Sequence, residues 1–258
     1  MSSAARDPLD TAERRKARGA FFTPALIASF IAQWAIRDAS DRVLEPSSGD
    51  AEFLVHAVRT LHGLGHERPQ VWGAELHEWS ASSGARRVDE AGGIAHVEVG
   101  DFFTQRPGEL FDVVIGNPPY GGRGESGNLD RPRIRAAHWY FTVAGLERLA
   151  PGGYMITVVP ESMLRNPSER EYRQDVLDRA HLLGAFAVPE SAFRQTGAGV
   201  TTVILVLRRH DAGVYEVLDS LSEEQRTALR EARYGQDNAL RAFVNGEVVF
   251  RKDHKDAW

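Results

Sequence analysis

The chain contains no cysteine, which excludes a disulfide framework, a thiol nucleophile and any zinc site built on thiolates, and is compatible with a reducing compartment. It also lacks an excess of positive charge. Thirty-six Asp and Glu stand against 31 Lys and Arg, a formal net charge of −5, so no global field advertises nucleic-acid binding and any such binding must rest on local groups. No apolar run is long enough to span a bilayer and no signal pattern opens the sequence, so the expectation is a soluble, cytoplasmic protein with no membrane partner. Internal repeats and low-complexity tracts are absent too. What is present, in 258 residues, is enough chain for one large α/β domain, alone or with a small appendage.

The most informative stretch runs from Asp112 to Tyr120. An apolar run with the look of a buried strand stops at Asn117-Pro118-Pro119-Tyr120, where two prolines fix φ and bias the residues before them toward extended geometry. A stiff backbone of this kind suits a planar amine. The two hydrogens of an exocyclic NH2 can be accepted by the Asn117 side-chain oxygen and the Pro118 carbonyl, while Tyr120 offers a face for stacking. On these four residues alone, a strand end with a packed tyrosine explains the pattern equally well.

Residues 1–18 form a polar N-terminal segment whose basic stretch, Arg14 to Arg18, fits a solvated helical face. Next, Thr23 and Pro24 fit the N-cap and first position of a helix carrying Leu26, Ile27, Phe30, Ile31 and Trp34. Backbone donors at that N-terminus favour an anionic ligand group beside Thr23. Arg42–Glu45 is a short strand, and Pro46-Ser47-Ser48-Gly49-Asp50 turns into a helix over 51–64. A second strand, Gln70–Glu75, ends in an acid about 20 residues past the glycine turn, the place where nucleotide-binding sheets take ribose hydroxyls. With one glycine in the turn, the pattern points to a nucleoside cofactor without a pyrophosphate.

A helix over 80–90 leads to a third strand, Ala95–Val99, followed by Asp101 and Phe102. That pair fits either a base-binding acid with a flanking ring or an Asx turn with a core phenylalanine. The glycine-rich run over 121–128 fits a lid or a plain connector. Further elements follow: a helix over 134–149, a strand over 154–159, a Ser-capped helix over 168–180, and strands over 183–188 and 201–207. In the loop before the last strand, the glycine-rich neighbourhood of Phe193 suggests exposure, for stacking, with a core plug as the alternative. The pattern gives an α/β fold with a doubly wound, mostly parallel sheet of about seven strands, helices on both faces, over residues 19–210. Residues 211–258 form an appendage of a helix opened by a Ser222–Gln225 capping box and a hairpin turning at Asn245-Gly246.

Over residues 17–209 these motifs, in this order, resemble the S-adenosylmethionine-dependent DNA adenine-N6 methyltransferases of the gamma arrangement. The resemblance implies a class I methyltransferase fold and a restriction-modification type of catalytic domain. It implies cofactor contacts from Phe22, Thr23, Glu45, Ser47, Gly49, Glu75, Asp101, Phe102 and Asn117. Asn117, Pro118 and Tyr120 match the catalytic tetrapeptide, and Phe193 falls where the family places an aromatic against a flipped base. Ala51 departs from the pattern, standing where a second glycine is usual. A target-recognition domain is the larger omission, so the implied partners are DNA and a separate specificity subunit or restriction partner. Arg123, Arg131, Arg133, Arg135 and Arg194 are the local candidates for phosphate contact. RNA base methyltransferases and release-factor glutamine methyltransferases share the tetrapeptide, and a cofactor-binding assembly subunit is the non-enzymatic alternative.

Overall fold

A computed structural model describes residues 23–105, 108–120, 136–193 and 201–248. In chain order the elements are α1 (Ala25–Ala35), β1 (Val43–Glu45), α2 (Glu52–Gly63), β2 (Gln70–Glu75), α3 (Glu78–Glu90), β3 (Ile94–Val99), β4 (Phe111–Gly116), α4 (Ala137–Glu147) and β5 (Leu149–Pro160). They continue as α5 (Ser162–Arg165), α6 (Arg170–Arg179), β6 (Ala180–Ala187), α7 (Glu190–Phe193), β7 (Thr202–Arg209), α8 (Ala212–Ser220), α9 (Glu223–Gln236) and α10 (Asn238–Asn245).

The strands form one seven-stranded sheet in the order β3-β2-β1-β4-β5-β7-β6. Pairings from β3 across to β5 are parallel, and β7 runs antiparallel to both of its neighbours. Central strands buried on both faces need apolar side chains in both directions, hence the unbroken run Val113, Val114, Ile115 in β4. Val113 and Ile115 enter the core that packs α1 and α2, and Val114 enters the core of α4 and α6 on the other face. Chain order reverses between β1 and β4, the position outside whose C-terminal strand ends ligands of open α/β sheets bind.

Three local expectations are corrected. Thr23 does not cap α1: Pro24 holds the cap position with φ −58° and ψ 136°, no side chain caps the helix, and the Thr23 hydroxyl is turned toward Asn117 instead. Ser168 does not cap the helix that follows it. The Asn166 side chain accepts from the Ser168 amide at 3.1 Å, opening a short 3-10 turn over Pro167–Glu169 before α6. The third concerns the hairpin at Asn245-Gly246, which is a helix end. Gly246 takes φ 75°, and the Glu247 amide reaches back to the Ala242 carbonyl at 2.8 Å, the closure of a glycine-terminated helix. A lone two-stranded ribbon is marginal in water, whereas α10 buries Phe243 and Val244 in the α4–α6 core, where Tyr234 of α9 joins them. The capping box that opens α9 is present, with both Ser222–Gln225 hydrogen bonds formed.

Candidate functional site

The crevice at the strand reversal is lined from β2, β1 and β4. At the end of β1, Glu45 is 3 % exposed, and its Oε2 has no hydrogen-bond partner among the described residues. Burial, then the charges of Asp50 and Glu75, push its carboxyl well above the usual carboxylate range. Arg87 of α3 reaches in to Asp50, 3.1 Å from Oδ2, and to Glu52. The Glu52 carboxyl is held at about 2, by the His56 hydrogen bond first and then by Arg87. Positive charge is therefore supplied to Asp50 and Glu52, while Glu45 is left with an unsatisfied buried oxygen, a setting suited to a cationic ligand group.

Glu75, at the end of β2, accepts from the Gly49 amide at 2.8 Å through Oε2 and from the His77 amide at 2.8 Å through Oε1. Two backbone donors fix the plane of the carboxylate, and each oxygen keeps further acceptor capacity for a pair of vicinal hydroxyls. Gly49 itself has φ 52°, and a Cβ placed on it would meet no atom within 4 Å, so the turn borders open space as well as demanding a glycine. The Ser48 amide ties this turn to the Ala74 carbonyl at 2.9 Å, and Ser47 beside it is half-buried.

Asp101 caps the turn over Phe102–Thr104, accepting from the Phe103 amide at 3.0 Å. Phe102 is 5 % exposed, stacks on Phe141 at 6.1 Å and lies under the Arg148 guanidinium. The Asx turn and the packed phenylalanine are both formed. An apolar residue that sequence reasoning passed over lies close by: Leu76, one position past Glu75, is 72 % exposed. The signal was an apolar residue placed directly after the acid that ends a strand.

Beyond β4, Asn117 is half-buried and hydrogen-bonded at both ends of its amide. Its Nδ2 donates to Thr23 Oγ1 at 3.1 Å, and its Oδ1 accepts from the Tyr120 hydroxyl. That hydroxyl also lies 3.3 Å from the Val158 carbonyl of β5. Burial pushes the phenol far above its ordinary value, so Tyr120 keeps its proton. Pro118 is buried. Thr23 and Asn117 are thus hydrogen-bonded to one another, and Glu45 lies close enough to Glu75 to feel its charge, at the C-terminal ends of β1, β2 and β4. Phe193 is not where its neighbours suggested: it is 3 % exposed and belongs to the α1–α2 core. A ring followed by glycines in sequence still packs when the sheet behind it offers an apolar face. Phe22, the glycine-rich run over 121–128, and Arg123, Arg131, Arg133, Arg135 and Arg194 lie outside the described residues.

The family described as N-6 DNA Methylase matches residues 10–228 by its sequence profile. The Type II methyltransferase M.TthHB8I of Thermus thermophilus is 28 % identical over 218 residues, covering 74 % of this chain and 45 % of that protein. Defense against restriction protein B of Escherichia phage P1 is 30 % identical over 119 residues, 45 % of this chain but 5 % of that protein. Among solved structures, the M protein of the Type I restriction enzyme EcoKI aligns with a TM-score of 0.62 at 22 % identity, over 74 % of this chain and 44 % of that one. The chain therefore spans less than half the length of each of these three relatives.

Proposed function

The chain belongs to the N-6 DNA methylase family and has the class I S-adenosylmethionine-dependent methyltransferase fold; from that premise we propose that it transfers a methyl group from S-adenosylmethionine to the N6 amine of adenine in DNA. The observation that carries the reading is the placement of Asn117-Pro118-Pro119-Tyr120 at the strand reversal, in the crevice that holds the buried carboxyl of Glu45 and the amide-fixed carboxylate of Glu75. When bound, S-adenosylmethionine supplies an electrophilic methyl group on a positively charged sulfur. Glu75 would take the two ribose hydroxyls, the buried Glu45 carboxyl would face the cationic end and give up its proton there, and Asp101 and Leu76 would receive the purine.

Asn117 Oδ1 and the Pro118 carbonyl accept the two hydrogens of the target amine. Its lone pair is delocalised into the ring, and hydrogen bonds that improve as the nitrogen becomes tetrahedral favour the transition state over the ground state. Transfer would form a carbon–nitrogen bond at the expense of the cofactor's carbon–sulfur bond, and the surplus amine proton would leave to solvent. No side chain acts as a strong base, and positioning carries the remainder of the rate. The target base leaves the duplex to reach this crevice, where the Tyr120 ring stacks on it. A stacking role for Phe193 requires that residue to leave the core in which it is packed. The motif order, cofactor residues first, supports the gamma arrangement, and the implied partners are duplex DNA and a separate specificity element. No helix among the described residues is long and apolar enough to cross a membrane.

Incubation with methyl-labelled cofactor and duplex DNA, RNA or protein, followed by digestion to nucleosides or amino acids, tests the reading. Label in N6-methyldeoxyadenosine is expected. Label confined to a ribonucleoside or to glutamine would replace the substrate class, and no label in any of them would favour an assembly subunit.

A further inference from the structure

Asn117 has an orientation problem. The two ends of a terminal amide have nearly the same shape and opposite hydrogen-bonding roles, and the torsion that exchanges them is broad and roughly two-fold. With the amide turned over, the end meeting an exocyclic amine would be a donor facing donors. Proline neighbours stiffen the backbone but do not hold the side-chain torsion, so that restraint must come from contacts on the amide itself.

The Thr23 hydroxyl provides such a contact, 94 positions away in sequence and just before α1, taking the Asn117 Nδ2 hydrogen at 3.1 Å. At the opposite end the Tyr120 O–H donates to Oδ1 and has a second acceptor within 3.3 Å, the Val158 carbonyl. The two ends therefore differ in kind. On the oxygen side the hydroxyl can turn from one acceptor to the other, so Oδ1 can be handed to a substrate amine at little cost. The nitrogen side has a partner that need not move when substrate enters.

We propose that Thr23 is a positioning residue for methyl transfer, its hydroxyl accepting from Nδ2 and so anchoring the Asn117 side chain in the plane from which Oδ1 meets the target amine. The inference rests on the adenine-methylating reading above and gives Thr23 a task distinct from a contact with the cofactor. Thr23 acts through Asn117 and touches no reacting atom.

A double-mutant cycle tests this, read as single-turnover rates at saturating cofactor with cofactor affinity measured separately by calorimetry. Thr23→Val keeps the shape of the side chain and removes the acceptor. In the parent protein it should lower the rate about tenfold, the worth of one hydrogen bond. Thr23→Ser should restore the rate to within about twofold of the parent protein. In an Asn117→Ala background the same Thr23→Val change should alter the rate less than about twofold, because nothing remains to be oriented. An equal loss in both backgrounds overturns the inference, as does an unchanged rate in Thr23→Val accompanied by weaker cofactor binding, which would make Thr23 a cofactor contact alone. If the parent protein forms no N6-methyldeoxyadenosine, the functional reading fails instead, a result distinguishable from an additive cycle in an active enzyme.

Discussion

Burial of the Glu45 carboxyl beside Asp50 and Glu75 favours its protonated form in the free protein. Its folded pKa lies above the unfolded value of 4.5, so its contribution to stability is intact below that value and is lost as pH rises through the folded pKa. His138 runs the other way. Burial pushes its imidazole down to about 4, and neither ring nitrogen has a partner among the described residues. Its contribution is intact above the ordinary 6.5 and is lost as pH falls toward about 4, by roughly 3 kcal/mol in the limit. Denaturant titrations across pH should then show two separable limbs. Glu45→Gln should raise stability at pH 8 by on the order of 1–3 kcal/mol, change little near pH 4, and weaken cofactor binding. His138→Leu should flatten the acid limb alone. If both variants keep the parent slope on their own side of the curve, these two groups do not govern it. Glu45 and Glu75 were legible as acids at strand ends, and Asn117 as part of a short motif. The Thr23 hydroxyl's partner and the burial of Phe102 and Phe193 were not, because side-chain surroundings are fixed by residues far away in sequence.

The α3 helix and the turn after β1 are fitted to one another through two small residues. Ala51 takes φ 61°, the lone non-glycine positive φ among the described residues, so the alanine keeps the left-handed backbone of the glycine usual there. That conformation costs an alanine about 1–2 kcal/mol, while the buried methyl returns about 0.8 kcal/mol. Strain outweighs burial, and Ala51→Gly should be mildly stabilising, by up to about 1 kcal/mol. Across the contact, a Cβ on Gly84 of α3 would lie 2.9 Å from the Ala51 Cβ. Gly84→Ala should therefore destabilise the protein despite a gain of about 1 kcal/mol in helix propensity. Combined with Ala51→Gly, the same change should become neutral or stabilising. Equilibrium unfolding of the four proteins measures the coupling, and additive effects would show that the two positions do not share the space. The sequence revealed the missing glycine but not its consequence, which depends on a helix 30-odd positions later. Turn chemistry was ambiguous for a similar reason: Asn245-Gly246 suits a hairpin or a helix end, and the choice was made by the apolar face waiting to receive Phe243 and Val244.

At the scale of the whole molecule, the parallel core of the sheet follows from apolar runs alternating with helical patterns, whereas the antiparallel insertion of β7 between β5 and β6 leaves no local mark. The C-terminal helices are the part whose role the fold changes most. Arg173 of α6, fully buried, donates to the Val244 carbonyl of α10 at 3.1 Å and to the Met163 and Asn166 carbonyls at 3.0 and 2.9 Å. It binds α10 to the segment that follows β5. With Tyr234, Phe243 and Val244 packed in the core, α9 and α10 close the α4–α6 face of the sheet and do not form a separate module. Sequence-specific recognition needs an element presenting side chains to base edges, across a protein surface of about 1,000–2,500 Å². At a net charge of −5, phosphate contact depends on a few local cations, which grip a backbone without reading it. The chain alone should accordingly methylate DNA slowly, with shallow preference around the target adenine and a steep loss of binding as salt rises. A specificity element added in trans should sharpen that preference without altering cofactor affinity. Sequencing the methylated positions made by the isolated chain decides the matter, since one sharp motif would place the reading element within these 258 residues and require a second task of the helices that seal the core.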